Sequence, residues 1–167
     1  MESEWMGRYR PLVAALVRHG NVCMSAAGRR KEIGEGIELS SLEWQVLESI
    51  VERRYEATNM IAISNSIGVP QSTFSKTTKK LCDMGLVEKY QAVNNRKNII
   101  LRPTDTALEL YKSNSARLQK NVFGAFFDKL TEVSDEDINA VAAAVQALND
   151  ALDPPKTPED IRLLRKE

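Results

Sequence analysis

Residues 71–87 read QSTFSKTTKKLCDMGLV, and the fold turns on what this stretch faces. It has helical length, no internal proline, and a glycine two residues before its end. On a wheel of about 100° per residue, Phe74, Thr78, Leu81 and Gly85 fall together, with Thr77 and Met84 at the border. The other side carries Ser72, Ser75, Lys76, Lys79, Lys80 and Asp83. One face is apolar enough to dock on a small core. The other holds three lysines and two hydroxyls against a single acid. A solvated face has the same pattern, so the flanking elements must decide.

What precedes is a series of helices. Residues 4–30 carry Trp5, Tyr9, Leu12, Leu16, Cys23 and Ala27 near one stripe, the mark of an amphipathic helix. Pro11 either kinks it or marks its true start. KEIGEGIE is glycine-rich and reads as loop. LSSLEWQVLESIVERR follows, with Ser40 or Ser41 as N-cap and Glu43 placed for a capping box. TNMIAISNSIG is a short helix, capped by Thr58 or Asn59 and ended by Gly68. After the basic stretch, two β-rich runs, Leu86–Val93 and Asn98–Leu101, flank NNRK and predict a hairpin with a basic tip. Thr104 or Asp105 then opens a helix to about Leu130. EDINAVAAAVQALNDAL is a last amphipathic helix, with Ile138, Val141, Val145 and Leu148 on its stripe.

Charge supports a polyanion-binding segment. The chain of 167 residues has no net charge. Pro70–Arg102 nevertheless holds seven bases against two acids. Glu32–Glu56 holds seven acids against two bases, and Thr131 to the end nine against four. A local basic block in a neutral chain is a stronger nucleic-acid signal than the overall balance.

The same inventory speaks against other classes. One histidine and two well-separated cysteines, Cys23 and Cys82, suit neither a Cys/His zinc site nor a disulfide framework. No catalytic triad, phosphate loop or paired-carboxylate motif stands out, so no enzyme, cofactor or metal is expected. No apolar run approaches the roughly 18 residues of a membrane span. The opening MESEWMGRYRPLVAALVRHG, acidic first and charged within, is unlike a signal peptide. The expected compartment is the cytoplasm.

Helix, helix, helix, basic helix and hairpin in this order are the plan of a winged helix-turn-helix. Here the sequence resembles the MarR family of bacterial transcription regulators. LSSLEWQVLESI resembles the family's opening helix, with its aromatic at Trp44. IAISNSIGVPQSTFSKTTKKLCDMGLVEK resembles its helix-turn-helix followed by Gly-Leu-Val. NNRKNIILRPTDTALEL resembles its wing and the start of the next helix. Asn95 stands where the family has an acid, Lys76 and Lys97 where it has arginines, and Pro103 and Ala107 where it has Leu and Gly. Lysine lacks the planar fork that reads guanine, which bears on the bases read rather than on DNA binding itself.

The resemblance implies a mainly α fold with a small β wing. It divides the chain into a dimerisation helix and loop (1–38), a DNA-binding lobe (39–102), C-terminal dimerisation helices (103–152) and a tail (153–167). It implies a homodimeric repressor on double-stranded DNA, with a pseudo-palindromic operator and release by a small molecule or oxidant. Gln71, Ser72, Thr73, Ser75 and Lys76 would reach base edges, Thr73 less directly. Lys79 and Lys80 would meet phosphate. The wing would bring Asn95, Arg96 and Lys97, with Arg96 at the minor groove. Tyr9, Trp44, Tyr55 and Tyr111 are candidates for an effector pocket, although aromatics at such positions are commonly core. Cys23 is a candidate redox thiol, and Cys82 another whose pKa Lys79 and Lys80 would lower. The competing reading is a winged helix that binds protein rather than DNA.

Overall fold

The computed structural model describes residues 4–56, 60–92 and 95–152, with only the backbone described at 4, 92 and 95–98. The expected caps Thr58 and Asn59 and the tail from 153 lie outside the described residues. A short 3-10 segment, Glu4–Tyr9, precedes helix α1 (Arg10–Ala26). Gly7 breaks the first segment with φ 48° and ψ −133°. Pro11 sits in the first turn of α1 and so marks its start, where the lost N–H has no intrahelical partner to miss.

The glycine-rich link is not a loop. It forms a hairpin of β1 (Arg30–Gly34) and β2 (Ile37–Ser40), paired antiparallel with Arg30 opposite Ser40 and Gly34 opposite Ile37. The two-residue turn puts Glu35 at φ 53° and Gly36 at φ 73°, the primed geometry that suits strand twist. Gly34 faces Leu110, which leaves only 2.9 Å for a Cβ. The sequence hid this hairpin because its strands carry more charge than β-branched residues.

Helix α2 (Ser41–Glu52) begins with a complete capping box. The Ser40 hydroxyl accepts from Glu43 N–H at 3.2 Å, and the Glu43 carboxylate accepts from Ser40 N–H at 2.9 Å. Helices α3 (Met60–Ser66) and α4 (Gln71–Asp83) follow. α4 closes in a Schellman turn: Leu86 N–H donates to Leu81 O, Gly85 N–H to Cys82 O, and Gly85 takes φ 70°. Leu81 and Leu86, the apolar pair that accompanies such a turn, are both fully buried.

Strands β3 (Val87–Ala92) and β4 (Asn95–Pro103) make the wing, with Val87 opposite Pro103 and Tyr90 opposite Ile100. β4 begins three residues earlier than its β-propensity suggested. Asn95, Arg96 and Lys97 therefore lie at the start of the returning strand. Thr104 caps α5 (Asp105–Leu118). The expected single helix to Leu130 is interrupted by a π turn at Gln119–Phe123 and resumes as α6 (Gly124–Leu130); α7 is Asp135–Leu152.

The chain divides into two compact units, Met1–Gln119 and Lys120–Glu167. In the first, Val46, Leu47, Ile50 and Val51 of α2 meet Phe74 and Leu81 of α4, Ile63 of α3, and Leu86, Val87 and Leu101 of the wing. Ile33 and Leu39 of the β1–β2 hairpin complete this core, together with Ala107 and Leu110 of α5. α5, which the sequence grouped with the C-terminal helices, thus supplies core to the winged-helix lobe. In the second unit α6 and α7 contain no buried residue.

Candidate nucleic-acid interface

The apolar stripe of α4 anchors it. Phe74, Thr77, Thr78 and Leu81 are buried, which turns the opposite side to solvent. Gln71, Ser72, Ser75, Lys76 and Lys79 are exposed there, while Thr73 is half-buried at the flank. The first turn holds no acid, and Pro70 at the N-cap supplies no side-chain hydrogen bond. The start of α4 thus combines an uncapped, acid-free first turn with two exposed hydroxyls, an arrangement that favours phosphate. The sequence carried that signal: a proline stands where a capping Ser, Thr, Asp or Asn would be.

Lys80 differs from its neighbours. Its Nζ lies 3.4 Å from Glu43 Oε1, across from the start of α2. Glu43 is 4% exposed and is also paired to Arg30, at 2.9 Å. Burial alone would raise its pKa. The Ser40 N–H and the Arg30 and Lys80 cations outweigh that and hold it below the ordinary carboxylate value.

In the wing, Arg102 donates to Glu56 O at 2.7 Å, so this base ties β4 to the chain after α2. The Tyr90 hydroxyl donates to Glu88, two residues away along β3, and this bond raises its pKa. Asn95, Arg96 and Lys97 are described in backbone only, as part of β4; their side chains lie outside the described residues.

The four aromatic candidates do not converge. Trp44 and Tyr111 stack, with centroids 5.7 Å apart and planes 12° apart, at the edge of the core. Tyr55 is 86% exposed with the Arg54 guanidinium over its ring. Tyr9 is likewise exposed beneath Arg8. An open cleft is lined instead by Gln45, Glu48, Ser49, Glu52 and Ile67. Burial and the nearby Glu52 carboxylate raise the pKa of Glu48 there.

Cys23 is exposed, with its sulfur 3.4 Å from His19 Nε2 one turn earlier. Cys82 departs from expectation. Burial raises its pKa, and the cation that opposes the rise is Lys89 of β3 rather than Lys79 or Lys80. Among the described residues, no group of three or more His, Cys, Asp and Glu side chains converges on a metal position. Nor is any described helix long and apolar enough to cross a membrane.

Residues 39–107 match the family model of the winged helix DNA-binding domain. Over most of its length the chain superposes on a MarR/EmrR family transcriptional regulator from Acinetobacter sp. ADP1, at TM-score 0.61 and 14% identity, covering 90% of this chain and 99% of that one. The chain has the MarR-family fold. CouR from Rhodococcus jostii RHA1, solved with p-coumaroyl-CoA bound, shares the MarR fold at TM-score 0.59 and 19% identity, over 86% and 92% of the two chains. MepR from S. aureus, solved in complex with DNA, shares it at TM-score 0.55 and 11% identity, over 68% and 78%. No curated protein matches the chain in sequence.

Proposed function

We propose that the protein is a DNA-binding transcription regulator that acts as a homodimeric repressor. The observation that carries this reading is the outward face of α4. Its N-terminal turn has no side-chain cap and no acid, and Gln71, Ser72, Ser75, Lys76 and Lys79 are exposed along it. A major groove admits one helix, and the residues of its first turns reach base edges. Gln71, Ser72, Ser75 and Lys76 take that role, Thr73 contributes from the flank, and Lys79 meets phosphate. Asn95, Arg96 and Lys97 of the wing follow the adjacent minor groove.

Dimerisation supplies the second recognition helix. α1 and α7 are amphipathic yet contain no buried residue. Leu12 and Cys23 on the stripe of α1 are exposed, as are Ile138, Val141 and Leu148 of α7. A two-fold related copy buries such stripes with one patch used on both subunits. It also sets two α4 helices about one DNA turn apart, roughly 34 Å. A small-molecule signal that changes this spacing lowers affinity. The stacked Trp44–Tyr111 pair is the aromatic surface on which such a molecule would act. MepR with its DNA and CouR with its acyl-CoA support the two halves of this reading.

The test is selection of duplexes from random DNA by the purified protein, followed by binding at rising salt. A selected pseudo-palindrome whose affinity falls steeply with salt is the expected result. Binding to duplex that is absent or independent of salt would leave the protein-binding winged helix as the function.

A further inference from the structure

Among the described residues, Lys80 is the exposed lysine of α4 that meets a carboxylate. Glu43 stands at the third position of α2 with a side chain 5% exposed. Its Oε2 accepts from Ser40 N–H at 2.9 Å and lies 2.9 Å from Arg30 Nη1. Its Oε1 lies 3.1 Å from the same nitrogen and 3.4 Å from Lys80 Nζ. One buried carboxylate thus joins β1, the start of α2 and the last turn of α4. A buried carboxylate is costly to leave without its cations, and Glu43 has two. The Lys80 distance is longer than the roughly 2.7–2.9 Å of a tight charge-assisted hydrogen bond, so the contact is an ion pair at the edge of the core. The side chain of Lys80 itself remains 66% exposed.

We propose that Lys80 is a positioning residue whose charge is held by Glu43, fixing α4 against α2, and that it is not one of the phosphate contacts. The proposal rests on the reading of α4 as the DNA-binding helix. For Lys80 to serve a phosphate it would have to leave Glu43 buried with one cation fewer. A lysine held against a carboxylate within the protein is not placed on a phosphate, so it displaces no counterion there. Among the described residues Lys76 and Lys79 meet no carboxylate, and their full charge is available to the DNA backbone.

The consequence has an unusual sign. Glu43→Gln keeps the capping hydrogen bond, since glutamine serves at this position as glutamate does, but it releases Lys80. The variant should therefore gain a phosphate contact. Its plot of log affinity against log salt should steepen by about 0.9 per lysine released. Lys79→Ala should flatten the same plot by about 0.9, and Lys80→Ala should leave its slope unchanged. In the double variant Glu43→Gln with Lys80→Ala, the slope should return to that of the wild type. If Lys80→Ala flattens the plot as much as Lys79→Ala does, the proposal is overturned. A steeper slope that survives in the double variant also overturns it, since Arg30 would then be the released charge.

A second measurement needs no DNA. The Glu43 carboxyl is titrated by NMR in the free protein, and its pKa should rise in Lys80→Ala and return toward the wild-type value in Lys80→Arg. An unmoved Glu43 titration overturns the pairing whatever the duplex experiments give. Wild-type protein without salt-dependent duplex binding would instead overturn the DNA reading of α4, a failure distinct from that of the ion pair.

Discussion

α2 and α7 are both amphipathic helices, and they end up in opposite circumstances. Of the twelve residues of α2, six are buried: Glu43, Val46, Leu47, Ser49, Ile50 and Val51. Of the eighteen residues of α7, none is, and the same holds for the seventeen of α1. In α6 and the turn before it, Val122, Phe123, Phe126 and Phe127 also stay exposed. The difference teaches that an apolar stripe specifies a need for a partner surface and not where that partner is. The lobe satisfies its stripes within one chain. The terminal helices leave theirs open.

The sharpest way to break this contrast is to place charge on the α7 stripe. Val145→Asp with Leu148→Asp forces two carboxylates into the proposed interface, at a cost of several kcal/mol for each ion left unpaired. The expected product is a monomer at micromolar concentration by sedimentation, with its winged-helix lobe still folded and operator binding lost. A wild-type monomer, or a dimer that survives both substitutions, would refute the assignment of the open stripes to a second copy.

Inside the lobe the expectation reverses. Phe74 is fully buried, and Phe74→Ala should cost about 3–5 kcal/mol of folding stability. Denaturant unfolding reads this directly. A loss below about 1 kcal/mol would mean that α4 is not anchored as described.

A third test probes the wing. Arg96→Ala should weaken operator binding by about 1–3 kcal/mol at moderate salt, with the thermal midpoint unchanged. Wild-type affinity in this variant would remove the wing from the interface.

The smallest effect sharpens the account of the α2 cap. Ser40→Ala removes the acceptor for Glu43 N–H and should cost about 1 kcal/mol. Glu43 adds a pH signature. Its pKa in the folded protein lies below the ordinary 4.5, so its stabilisation is present above that value. It is lost as pH falls through the folded pKa. Urea midpoints between pH 7 and pH 3 should therefore fall more in the wild type than in Glu43→Gln. Parallel profiles would show that the carboxylate charge contributes nothing.

The local plan was legible because local rules produced it. Period 3.6 placed Phe74, Thr78 and Leu81 inward and the lysines outward. Ser40 and Glu43 at the start of α2 announced the capping box, and Gly68 announced the end of α3. Most of the proposed base-reading face, Gln71 to Lys76, follows from the same periodicity, and the exposed positions agree with it. The β1–β2 hairpin was missed because its turn, Glu35–Gly36, looks like a flexible link when its strands carry so few β-formers. It is held by contacts remote in sequence: Arg117 donates to Glu32 O at 2.6 Å, and Arg30 reaches Glu43.

Sequence by itself determined the apolar stripe of each helix and the caps of α2 and α5, because those depend on neighbours within a few residues. It also determined that one helix and one hairpin carry the basic charge. Only the tertiary structure decided that α5 completes the core through Ala107 and Leu110, and that Trp44 meets Tyr111 while Tyr9 and Tyr55 stay outside. It alone gave one lysine of α4 a different partner from the rest. Glu43 and Lys80 are 37 residues apart, and no periodicity links them. Their meeting depends on how two helices cross, which is set by the packing of Val46, Leu47, Phe74 and Leu81 between them.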